Sequence, residues 1–175
     1  DENWDIQARR WADGKWSKAL RLTKDAGPDI FPAAATDSEG RVWIAWQGFR
    51  GDNANIFCAR QSGGKFGEPI AVAETPGNEW APALAASAGG QLAVAWDTYA
   101  KGDYDVYARV WSGGEFGEPI AIAASRRGEM RPSAAYDTQG RLWIAYEDTN
   151  ELWGKDWGYV EKYGEKLYNE RNVIV

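Results

Sequence analysis

The chain has 175 residues with 44% hydrophobic content and a net charge of −6, an acidic balance that disfavours a nucleic-acid backbone as partner. It contains no His and a single Cys, which removes imidazole bases, Ser-His-Asp triads, most zinc sites and any internal disulfide. No run of about 18 apolar residues is present, so no membrane-inserted helix is expected, and the opening Asp1-Glu2-Asn3 reads as a processed or excised segment.

In chain order, the first predicted strand runs from Asp5 to Arg10, followed by an Asp13-Gly14 turn, Trp16 and Leu20. A second unit begins after Pro32 with the short strand Ala33 to Thr36, and Asp37-Ser38-Glu39-Gly40 follows as a tight turn. In such a turn Asp bonds its own backbone and Gly takes the positive φ. Arg41 to Trp46 is nearly continuously apolar, as expected of a strand covered on both faces. Asn55 to Arg60 alternates more, which suits a strand nearer the outside; its Cys58 reads as a buried, inert thiol. Gly63-Gly64 turns the chain into Glu68 to Val72, where Pro69 suits an edge strand.

The same order then recurs. Gly40, Gly90 and Gly140 stand 50 residues apart, as do Pro32, Pro82 and Pro132, and Trp46, Trp96 and Tyr146. The register extends backwards through Asp5, Asn55 and Asp105, and Gly14, Gly64 and Gly114, and it holds without a gap from about Asn3 to Glu147. Four short strands per 50-residue repeat is the pattern of propeller blades. The expected fold is all-β: a partial β-propeller of about 3.5 four-stranded antiparallel blades, made of a half blade (3–23), blades at 31–74 and 80–124, and a divergent last blade at 131–175. A closed ring needs roughly four to eight blades. Further blades of the same protein, or a second copy of the chain, are therefore the expected structural partners.

The turn Asp13-Gly14-Lys15-Trp16-Ser17 resembles a shortened Asp box of the sialidase-like, BNR-type propellers. Ser62-Gly63-Gly64-Lys65-Phe66 and Ser112-Gly113-Gly114-Glu115-Phe116 are similar but lack the Asp. The resemblance implies a propeller whose boxes are structural and lie away from the ligand face. The sialidase arginine triad and Tyr–Glu nucleophile pair have no counterpart here, although Met130-Arg131-Pro132 is similar to the family's first arginine motif. The tail Trp153-Gly154-Lys155-Asp156-Trp157-Gly158 resembles secreted bacterial proteins in which propeller-like repeats precede a metal-dependent hydrolase domain. That likeness implies an extracellular or periplasmic setting.

Function is expected on the loops leaving the second strands and on those joining successive blades. The candidate ligand-binding residues are Trp80, Asp97, Arg131, Glu147, Trp153, Lys155, Asp156 and Trp157. Polar groups beside Trp faces suit a sugar ring, which stacks through its C–H face and bonds through its hydroxyls; solvated loops with Trp sealing the blade junctions explain them equally. Asp97 and Glu147 follow equivalent strands, with Gln47 at the third such position, and two carboxylates there suit glycoside cleavage, calcium or strand capping alike. No catalytic residue, metal site or cofactor is assigned. Asp148 to Asp156 breaks the register, and either a binding insertion or an end cap over Gly158 to Val175 accounts for it; Lys166 to Tyr168 and Asn172 to Val175 are its candidate strands. The expected function is a non-catalytic, glycan-binding or scaffold module of a larger extracytoplasmic protein. The alternatives are a fragment of a sialidase-like glycosidase and a structural support for an adjacent hydrolase domain.

Overall fold

The computed structural model describes residues 3–151, 153 and 172–174, and among these it contains strands and turns but no helix. A half blade comes first. In it β1 (Gln7–Ala8) pairs with β4 (Leu20–Arg21), and β2 (Trp11–Ala12) forms a hairpin with β3 (Lys15–Trp16). The first full blade orders β5 (Asp29–Thr36), β6 (Val42–Arg50), β7 (Asn53–Ser62) and β8 (Lys65–Phe66), with β9 (Ile70–Ala73) also on β7. The second repeats this with β10 (Glu79–Ala86), β11 (Leu92–Thr98), β12 (Asp105–Ser112), β13 (Glu115–Phe116) and β14 (Ile120–Ala123). The final blade pairs β15 (Glu129–Tyr136) with β16 (Leu142–Asp148), and β16 with β17 (Asn172–Ile174). Every pairing is antiparallel.

The turns follow from their residues. Asp37 Oδ1 accepts the backbone N–H groups of Glu39 (3.0 Å) and Arg41 (2.9 Å), while Gly40 takes φ 75°. The other oxygen, Oδ2, accepts the Arg41 guanidinium at 2.8 Å and the Trp43 indole N–H at 2.9 Å, tying the turn to the next strand. Asp137 repeats this set with Gln139, Arg141 and Trp143, whereas Ser87 keeps only the bond from Gln91 N–H. At the outer hairpins Asp13-Gly14, Gly63-Gly64 and Gly113-Gly114 all have positive φ, as a two-residue hairpin turn requires.

Period-two alternation on the second strands feeds two separate core layers. Trp43 and Ala45 face the second full blade, packing with Leu92, Val94 and Trp96. Ile44 and Trp46, on the opposite face, meet Ile6 of the half blade. Ala93 and Ala95 are likewise opposite Leu92 and Val94, and Ala95 packs towards Ile144 of the final blade. The core is thus a stack of slabs between blades, which is why β11 is buried along its whole length.

Two expectations change. The first strands begin before their Pro, at Asp29, Glu79 and Glu129, and the register jumps at Phe31-Pro32, Ala81-Pro82 and Arg131-Pro132. Pro has no N–H for the ladder, so the strand bulges there instead of starting there. The third strand β7 is not alternately exposed: Ala54 to Ala59 is continuously buried, because blades cover both of its faces. The tail does supply a strand at Asn172–Ile174, lying on β16 where a third strand belongs, while Lys166 to Tyr168 lies outside the described residues. Cys58 is buried as expected, and burial pushes its thiol up to about 12.

Candidate functional site

The three first strands, β5, β10 and β15, lie side by side, and their bulges line a cavity of about 680 Å³. Each bulge puts a non-glycine residue in the left-handed region: Phe31 at φ 51°, Ala81 at 49° and Arg131 at 50°. That backbone is strained for a side chain with a Cβ, and it re-aims residues 31, 81 and 131 into the cavity wall instead of along the pleat.

One wall is aromatic. Tyr104 is the hub, with its ring 5.5 Å from Trp80, 5.0 Å from Tyr99 and 5.8 Å from Trp153. Trp80, Tyr104 and Trp153 all face the cavity. Trp153 is seated by its backbone N–H on the Asn150 side-chain oxygen (3.0 Å), and by Gly128, where a Cβ would come within 3.4 Å of its ring.

The polar wall comes from the second strands. Asp97, opposite Trp80 in the β10–β11 register, is buried and accepts the Arg131 backbone N–H at 2.7 Å. Burial raises its pKa to about 7, against the opposing pull of that N–H and the Arg131 charge. Its carboxyl thus exchanges its proton near neutrality, as a general acid or a switchable hydrogen-bond donor does. Arg131 itself is exposed and reaches Glu147 at 3.5 Å (Nη1 to Oε2). Gln47 completes the set from the first full blade.

Of the eight residues singled out from the sequence, Trp80, Asp97, Arg131 and Trp153 line one cavity, and Glu147 joins it through Arg131. Lys155, Asp156 and Trp157 lie outside the described residues. Tyr104 was missed. Its repeat equivalents are the exposed Trp4 and the fully buried Ala54, so the register itself varies at this position and gave no signal. Among the described residues no group of three or more His, Cys, Asp or Glu is arranged to hold a metal ion.

No family model matches the chain, and no curated protein does. Among solved structures it is similar to an α-L-arabinanase from Penicillium chrysogenum complexed with arabinobiose, at 14% identity over 89% of this chain and 52% of that one (TM-score 0.64). It is also similar to an endo-arabinase from Bacteroides thetaiotaomicron, at 16% identity over 87% and 57% of the two chains (TM-score 0.53). A third is a xylan β-1,4-xylosidase from Bacillus halodurans, at 15% identity over 86% and 33% (TM-score 0.52). The chain is a partial β-propeller. It shares its fold with propellers of glycoside hydrolases and spans about half the length of the two arabinanases. At these identities the likeness concerns the fold alone.

Proposed function

We propose that this propeller segment binds a neutral oligosaccharide in the cavity at the first strands, as a binding or scaffold module of a larger extracytoplasmic protein. The observation that carries the reading is the pairing of an aromatic wall, Trp80, Tyr104 and Trp153, with Asp97 and the Arg131–Glu147 pair across one cavity of about 680 Å³. Sugar C–H faces stack on aromatic rings while hydroxyls take hydrogen bonds from fixed polar groups. A carboxyl half-protonated near neutrality and an arginine neutralised by a glutamate leave little net charge, which suits an uncharged sugar over an acidic one. The arabinobiose bound to the Penicillium arabinanase makes arabino-oligosaccharides the first ligands to try.

A glycan array followed by calorimetric titration tests this. Trp80→Ala and Trp153→Ala should each weaken binding at least tenfold, while Trp16→Ala, an exposed indole in the half blade, should leave it unchanged. Silence across all glycans would sink the reading. A second reading, a fragment of a glycoside hydrolase completed by other blades, is favoured by Asp97 alone, whose proton is available near pH 7 and which is linked to Glu147 through Arg131. Release of reducing sugar by the whole protein, abolished by Asp97→Asn, would support the hydrolase reading.

A further inference from the structure

The three bulges on the cavity wall agree in backbone and disagree in side chain. Residues 31, 81 and 131 each precede a Pro and hold φ of 51°, 49° and 50°, yet they are Phe, Ala and Arg. Left-handed backbone favours Gly, which no blade uses here, so each bulge keeps a Cβ against a conformational cost. At Phe31 packing does not offset that cost, because the residue is 64% exposed. Backbone strain and an exposed aromatic ring thus coincide on the wall of a cavity, and folding accounts for neither.

Strand order sets Phe31 apart from the aromatic wall. β10 stands between β5 and β15. Trp80 lies on β10 itself, and Trp153 is seated against Gly128, just ahead of β15. Phe31, on β5, therefore lines the cavity from the other side of β10 than Trp153 does. Between them the β10 bulge carries only the Ala81 methyl. The two ends also differ in charge: Asp97 and Arg131 are joined at the Trp153 end, whereas the first full blade contributes Phe31, Pro32 and Gln47, none of which ionises. At about 680 Å³ the cavity falls in the range of roughly 300–1,000 Å³ that takes a drug-sized ligand, larger than a single sugar ring.

Resting on the oligosaccharide reading above, we propose that Phe31 is a second stacking platform, so that the cavity holds two sugar residues at once. One lies on Trp80, Tyr104 and Trp153 and the other on Phe31, with the small Ala81 leaving room for the linkage between them. The ligand class is then an oligosaccharide of at least two residues. Its residue at the Phe31 end is neutral and presents a C–H face, since the lining there carries an aromatic ring and no charge.

Calorimetric titration of the whole chain with arabinose, arabinobiose and arabinotriose, or with the matching series of the sugar best bound on the array, tests the second platform. The disaccharide should bind roughly tenfold more tightly than the monosaccharide, the gain expected from one more stacked ring. Phe31→Ala keeps the backbone and removes the ring. It should bring that ratio to within about twofold and leave monosaccharide affinity unchanged, while Phe31→Tyr should keep the full ratio. Trp80→Ala, by contrast, should weaken both sugars. Equal affinity for mono- and disaccharide in the unmodified chain, or a ratio that survives Phe31→Ala, would overturn this proposal and leave the sugar-binding reading standing. Absence of saturable binding throughout every series would remove both. Loss of self-association in sedimentation of Phe31→Ala, with the ratio intact, would assign the ring to a contact between copies and overturn the proposal as well.

Discussion

Trp43 and Trp143 occupy the same position in two repeats, and each gives its indole N–H to the turn aspartate before it at 2.9 Å. Their surroundings differ completely: Trp43 is 1% exposed and Trp143 is 47% exposed. Trp43 faces the second full blade, where the Trp111 ring meets it edge-on at 5.3 Å and Arg60 lies over it at 5.4 Å. Trp143 points to the side of the final blade away from the second, with the Arg141 guanidinium over its ring at 5.8 Å. The contrast teaches that the local motif sets the side chain's direction and its hydrogen bond, while the neighbouring blade supplies the burial.

The sharpest test of that contrast is truncation. Trp43→Ala should destabilise by about 3–5 kcal/mol, the usual cost of emptying a buried aromatic site, and Trp143→Ala by no more than about 1 kcal/mol, both read by urea denaturation. Equal losses would mean that the turn hydrogen bond matters more than the slab.

Acid titration comes next, because it separates the turn carboxylates from the cavity carboxyl. Burial works against ionising Asp37, but the Trp43 indole and the Arg41 and Glu39 bonds outweigh it and lower its pKa to about 2. Asp137 falls to about 2 chiefly through the Trp143 indole. Folded values below the unfolded ones mean that these groups support the fold above about pH 4, and that the support is lost as pH falls towards 2. Asp37→Asn and Asp137→Asn should each flatten that limb of the stability curve. Asp97 has the opposite sign. Its folded pKa near 7 means that stability declines as pH rises from about 4 to 7, and Asp97→Asn should remove that decline.

The smallest expected effect lies at the bulges. Ala81→Gly relieves a Cβ at φ 49° and should stabilise by about 0.5–1 kcal/mol in thermal unfolding, whereas Trp16→Ala at an exposed hairpin should change little.

Much of this was legible from spacing. Glycines at 40, 90 and 140 marked the turns, and the continuous apolar run of Leu92 to Trp96 marked a strand covered on both faces. Trp80, Asp97 and Arg131 were legible as candidates because each sits near the end of a strand, and they line one cavity. Tyr104 was not, since a tyrosine beside the apparently exposed end of a strand carries no sign that Trp80 of β10 and Trp153 beyond β16 will meet it. The bulges were also misread, because Pro marks an interruption of the ladder without saying whether the strand begins there or passes through.

By itself the sequence determined the blade: its four strands, its turn chemistry and the two faces of each second strand, all of which depend on φ preferences and side-chain alternation within about 50 residues. Only the tertiary structure decided which equivalent residues share an environment. Trp43 and Trp143, or Arg50 and Ala100, are matched in register yet differ in what packs against them. Burial, shifted pKa values and cavities arise between blades, from groups far apart in the chain, and no period within one repeat encodes them.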